Sequence, residues 1–174
     1  MAVELISHLE IDNTTTADVT LNSFSGYTDL LILASLRSQR ADVTDFLDLY
    51  PNGTVGNTTS TYALKTDNGS AGSKYTTDAD SFCGYIAAAN KDSDKFATVK
   101  IYVSDYANVG THKMFDVAYS LDADTRAGII AKKWSNTSAL TSITLSPTYD
   151  NFAQYSTITL YGITAGSDGT TTVS

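Results

Sequence analysis

An all-β fold, an antiparallel two-sheet β-sandwich of jelly-roll type, is what this sequence predicts, on three observations. Apolar residues recur with a period of two in short runs, as strands with one buried face require. Thus Val99, Ile101 and Val103 alternate with Thr98, Lys100 and Tyr102, and Phe115, Val117 and Tyr119 alternate with Asp116 and Ser120. Turn-forming clusters punctuate the chain about every 8–12 residues, with no convincing helical period between them. Thr is the commonest residue, 26 of 174, with 19 Ser, and β-branched Thr suits strand positions that face water.

Taken in order, residues 3–11 form a first extended segment whose alternation blurs at His8, and residues 17–24 alternate through Val19 and Leu21. Residues 29–37 read DLLILASLR, apolar on both faces at the start, which predicts a strand in mid-sheet covered on both sides. Around residues 43–50, Asp42, Asp45 and Asp48 stand three apart, at helical spacing, but the turn signature Pro51-Asn52-Gly53 and the residues Val43, Phe46, Leu47, Leu49 and Tyr50 favour a strand. From 54 to 80 the chain is small and polar, a long surface excursion with one short strand at 61–65. Residues 82–89 resume regular structure, with a bulge at Cys83-Gly84, and strands follow at 96–103 and 113–121. A polar loop at 121–126 leads through residues 127–134 to a terminal hairpin. Its arms are 139–145 and 156–163, joined by a turn at Ser146-Pro147-Thr148-Tyr149-Asp150-Asn151. The expectation is about ten strands, an antiparallel jelly roll in count and size. Residues 1–163 make one domain and 164–174 a flexible tail with nothing apolar to bury.

The totals bound the function. The chain has room for one full sandwich rather than two domains. A formal charge of −8, with three Arg and no basic cluster beyond Lys132-Lys133, repels a phosphate backbone and argues against nucleic-acid binding. The lone Cys83 excludes an internal disulfide. The start of the chain lacks the basic and apolar regions of a secretory signal, and the longest apolar run, residues 30–34, falls far short of a membrane helix.

Reactive constellations are sparse. His8 and His112 are the only candidate histidine bases, and Gly69-Ser70-Ala71-Gly72-Ser73 has the wrong spacing for a nucleophile elbow. Glu is limited to Glu4 and Glu10, and most of the 17 Asp residues lie in turns, where they bond their own backbone. No catalytic residue, cofactor or enzymatic activity is therefore expected. Asp122 with Asp124, and Asp78 with Asp80, are the weak candidates for calcium; neither pair has the Gly and distal Glu of an EF-hand loop, and solvated turn carboxylates account for both more simply. Five Asn-x-Ser/Thr sequences, at Asn13, Asn52, Asn57, Asn68 and Asn136, follow from composition. Eleven Tyr against one Trp point to surfaces that meet partners or sugars. Tyr27, Tyr62, Tyr75 and Tyr149, near loops, are the candidate partner-binding residues.

The segments GYTDLLILASLRSQRAD and PNGT, then W-x4-ALTSITLSP and NFAQYSTITLYGI, resemble a group of small virion proteins of tailed bacteriophages, common in marine and cyanobacterial phages. The resemblance covers residues 4–163 and is weakest over 53–81; it carries no catalytic signature. It implies a structural role on a particle assembled in a bacterial host. The expected role is a capsid decoration (cement) protein, trimeric by analogy, that binds the major capsid protein or other virion proteins and stabilises the outer capsid. The alternative is a tail or head fibre or spike domain that binds host-surface carbohydrate.

Overall fold

The computed structural model describes residues 2–13, 15–54, 59–67, 69–76, 81–122 and 125–164. Those residues form β1 (Ala2–Glu10), β2 (Val19–Leu21), β3 (Asp29–Leu36), β4 (Thr44–Pro51), β5 (Thr59–Asp67), β6 (Ser70–Thr76), β7 (Phe82–Ala87), β8 (Ala97–Val103), β9 (Lys113–Leu121), β10 (Arg126–Trp134), β11 (Ile143–Pro147) and β12 (Thr157–Thr164), with no helix among them. The strands lie in an eight-stranded sheet, order β1-β12-β3-β8-β9-β10-β5-β6, and a four-stranded sheet, order β2-β11-β4-β7.

The pairing explains the winding. β1 pairs β12, β2 pairs β11, β3 pairs β8 and β4 pairs β7, all antiparallel and nested one inside the next. A chain paired this way is one long hairpin rolled up, so that successive pairs fall alternately in the larger and the smaller sheet. That is the jelly roll. The other two pairs, β5 with β6 and β9 with β10, are hairpins inserted after β4 and after β8. They add to the β8 side and widen one sheet to eight strands.

Period two gives each strand one inward face, and these faces make the core. Leu30, Ile32 and Leu36, Val99, Ile101 and Val103, and Phe115 from the larger sheet meet Leu47, Leu49, Ile86, Ile143 and Leu145 from the smaller, all fully buried. Each such Leu, Ile or Phe contributes about 1.5–3 kcal/mol by leaving water. The inserted strands curl round the edge of the smaller sheet, so β7 packs against β8, β9 and β10.

Several expectations hold, and several are corrected. Residues 43–50 are a strand, and the bulge falls where the sequence places it: Leu47 faces Gly84 and Asp48 faces Phe82, leaving Cys83 as the extra residue. The blur in the first strand is a second bulge, at Ile6, which lies between the pairs Leu5–Tyr161 and Ser7–Leu160 and packs against the core. The terminal hairpin does not exist. β11 pairs β2 and β4, whereas β12 lies between β1 and β3 in the other sheet. The link between them crosses the sandwich with Phe152 buried, and the main-chain N–H of Arg37 donates to Ser156 Oγ at 3.1 Å. Pro147 ends β11 instead of opening a turn. It sits beyond the three residues that β2 pairs, where a missing N–H costs no ladder bond.

The β3 strand is covered on one face only, because none of the described residues forms a layer over the outside of the larger sheet; Leu31 is half-buried and Leu33 exposed. The excursion at 54–80 contains the β5–β6 hairpin at the sheet edge, where Thr-rich sequence reads as strand. Thr164 closes β12, and the tail expected from there lies, from 165 on, outside the described residues. The described residues thus hold twelve strands rather than about ten.

Candidate interaction surface

The outer face of the eight-stranded sheet follows from register. One row across the strands reads Leu5, Tyr161, Leu31, Tyr102, Asp116, Ala131, Tyr62, Tyr75; the next includes Thr159, Leu33, Lys100, Ala118, Ile129, Leu64, Ser73. Apolar side chains gather at both ends. At the β1 end Val3 and Leu5 are exposed beside Ile163 and Tyr161. At the β6 end, on the inserted strands, Leu64 and Ile129 are opposed and 69% and 68% exposed. Tyr62 and Tyr75 are also opposed there, ring centroids 4.7 Å apart.

Alternation of large and small residues makes this end uneven. Ala118, Ala127 and Ala71 leave a groove of about 610 Å³ beside Leu64 and Ile129. A second of about 440 Å³ lies between Ile129 and the tyrosine pair, and a third of about 220 Å³ between Ile129 and Tyr102. Ile129 borders all three. Charged groups are few, with Lys100 and Asp116 mid-face, though Thr159 and Ser73 share the row of Lys100 and Thr66, Thr98 and Ser120 line the largest of these grooves; Tyr102 donates through its hydroxyl to Asp29 Oδ2 at 2.8 Å. That bond to a carboxylate raises the Tyr102 pKa, so the hydroxyl stays a donor. A contiguous, grooved apolar surface with few charges is what binds another macromolecule.

The four tyrosine candidates separate. Tyr62 and Tyr75 come together on this face, and Tyr149 is exposed elsewhere, under the Arg40 guanidinium at 4.1 Å and against Phe46. Tyr27 is a packing residue: half-buried against the core, its ring lies on Gly162, where a Cβ would come within 2.3 Å of it. Leu64 and Ile129 escape sequence reading, although the doubled Ile129-Ile130 carries a trace: strict alternation would have put a polar residue at one of them.

The other candidates stay apart. His8 shares a hydrogen bond with Thr159 Oγ1 at 2.8 Å, and His112 is exposed in a turn with no hydrogen-bond partner among the described residues. Asp122 accepts from Lys95 Nζ at 2.9 Å, which lowers the Asp122 pKa and occupies the carboxylate with a cation. Asp124, Asp78 and Asp80 lie outside the described residues, as do Asn57 and Asn68. Among the described residues no three His, Cys, Asp or Glu are grouped as a metal site. Asn52 is built into the fold: its Oδ1 accepts from the main-chain N–H of Thr141 at 2.8 Å and of Ser142 at 3.0 Å.

The fold and this face together define a jelly-roll β-sandwich with an enlarged, apolar outer sheet. No family model matches the chain, and neither a curated protein nor a solved structure matches it.

Proposed function

We propose that this chain is a structural component of a bacteriophage virion, a decoration protein that docks on the capsid through the outer face of its eight-stranded sheet and acts as a homotrimer. The observation that carries the reading is the grooved apolar surface around Ile129, on strands added outside the jelly roll's nested pairs. The core needs none of those exposed side chains. The resemblance of the chain's terminal motifs to small virion proteins supplies the kind of partner: the major capsid protein, or a virion protein beside it. Acidity supports the reading too, since a net charge of −8 keeps free copies soluble at high concentration before assembly.

The test is cosedimentation with expanded capsids of the phage that carries the gene, alongside light scattering of the free protein. Wild type is expected to sediment with capsids and to run as a trimer. Leu64→Asp/Ile129→Asp is expected to stay in the supernatant. A monomer that ignores capsids, or a double variant that binds as wild type does, refutes the reading.

A further inference from the structure

The outer face of the larger sheet carries a pattern of charge and shape that is complementary to itself. We infer that two copies of this chain pair face to face across a two-fold axis running along the strands between β8 and β9, so that each copy covers the other's docking face in the free protein. That this holds the face in reserve for a capsid rests on the function proposed above; the pairing itself does not.

Strand order places the axis. β8 and β9 are the fourth and fifth of eight strands, so rotation about a line between them lays β8 over β9 of the other copy, β3 over β10, β12 over β5 and β1 over β6. Charge then decides the occupant. The four central strands turn two acids and two bases outward: Asp29 on β3, Lys100 on β8, Asp116 on β9 and Lys133 on β10. Within one copy Lys100, Asp116 and Lys133 have no ion pair or hydrogen bond among the described residues. Lys100 and Asp116 are diagonal neighbours, about 7–8 Å apart, and leave each other unpaired.

The rotation supplies the missing partners. Asp29 and Lys133 share a row, on strands that the axis superposes, so each meets its opposite on the other copy. Asp29 already accepts from the Tyr102 hydroxyl and the Asp105 N–H, and a carboxylate has about four acceptor positions. Lys100 falls on β9 of the other copy one row from Asp116, within reach of a flexible four-carbon stem. Each contact occurs twice, as an isologous interface requires.

The apolar residues agree with the charges. Leu33 and Ile129, 41% and 68% exposed, share a row on β3 and β10 and meet across the axis, and Leu31 meets the smaller Ala131. The two apolar ends cover one another, with Leu5 on β1 toward Tyr75 on β6. Eight strands about 4.8 Å apart, over roughly 20 Å of their length, span on the order of 800 Å² per copy, the size of a standard interface. Three copies docked on one capsid turn their faces the same way, so two trimers stack base to base through three such contacts.

Sedimentation equilibrium of the full chain across a concentration series tests this. Wild type is expected to double in mass as concentration rises, from three chains to six if the trimer holds. Lys100→Glu is expected to weaken the doubling about a hundredfold, because the symmetric interface carries the altered contact twice. Lys100→Glu/Asp116→Lys is expected to restore it, since the exchanged charges again face each other; a capsid keeps its own charges and gains nothing from the exchange. Both positions are exposed, and their variants are expected to melt as wild type does. A base mass of one chain that still doubles, or doubling in a protein that ignores capsids, upholds the pairing while the function proposed above fails. No doubling up to millimolar concentration, doubling unchanged in Lys100→Glu, or no recovery in the exchanged variant overturns the pairing.

Discussion

Gly162 and Tyr27 are far apart in sequence and pressed together in the fold, and replacing the glycine by alanine measures how firmly. A Cβ at Gly162 would lie 2.3 Å from Cγ and Cδ1 of Tyr27, whereas ordinary contact starts at 3.4 Å. The ring must therefore move by roughly 1 Å, away from core it now covers, and overpacking of this kind costs about 1–3 kcal/mol. Gly162 has no positive φ, so its backbone accepts alanine, and in a strand that change alone is worth about 0.5–1 kcal/mol in alanine's favour. The net expectation is a loss of about 1–2 kcal/mol, or roughly 2–8 °C in Tm for a chain of this size. Removing the ring reverses the sign: in a Tyr27→Ala background, Gly162→Ala is expected to be neutral or stabilising. Urea unfolding of the four proteins gives the coupling directly. Equal destabilisation in both backgrounds would refute the claim that Gly162 is there to make room for the ring.

Arg37→Ala is expected to destabilise by about 3 kcal/mol, measured by urea unfolding. The buried guanidinium donates to the main-chain oxygens of Ala89 at 3.1 Å, Lys91 at 2.9 Å and Lys95 at 3.2 Å, and to that of Asp92; Arg37→Lys recovers only part, since a point donor cannot span the fork. Asp45 is fully buried with Oδ2 unpartnered, and burial raises its pKa despite the bond from the Phe46 N–H. The folded state thus holds this proton more tightly than the unfolded chain. Its effect on stability is absent below the unfolded carboxylate pKa and becomes a growing penalty as pH rises through the raised folded pKa. Wild type is expected to lose stability relative to Asp45→Asn over that window in a pH series of melts; a constant difference would contradict it. Leu64→Asp/Ile129→Asp is expected to lower the Tm by about 2–8 °C, from two surface substitutions of up to about 0.5 kcal/mol each and up to about 1 kcal/mol of repulsion between carboxylates placed directly opposite; a larger drop would mean that these side chains serve the core.

Much of the fold was legible because period two reports a buried face directly. Val99, Ile101 and Val103 point inward as their spacing says, and so do Phe115, Val117 and Tyr119. Pairing was not legible. Alternation in 143–147 and 157–164 is the same whether the two strands pair or face each other across the core, so the nearest neighbour in sequence was the wrong partner. The β5–β6 hairpin was hidden for another reason: at a sheet edge its strands need few apolar residues, and Thr, Ser and Gly read as loop. Of the candidate surface, Tyr62 and Tyr75 were visible as tyrosines but not as a pair. Their meeting depends on the register of β5 against β6, which no local pattern encodes.

The division of labour within the larger sheet bears on how docking and stability relate. Its nested strands β1, β12, β3 and β8 cover the smaller sheet, and the inserted β9 and β10 also press their inner faces on β7. Each inserted strand therefore presents two faces in different surroundings. Inner residues such as Phe115 and Ile130 are buried, while outer ones such as Ile129 and Leu64 touch little of their own chain. Strand geometry keeps the two sets out of contact, since neighbours along the chain point to opposite sides. Changes at the outer face should then add to changes in the core with little coupling, so that the proposed docking surface could alter its affinity without loosening the sandwich beneath it.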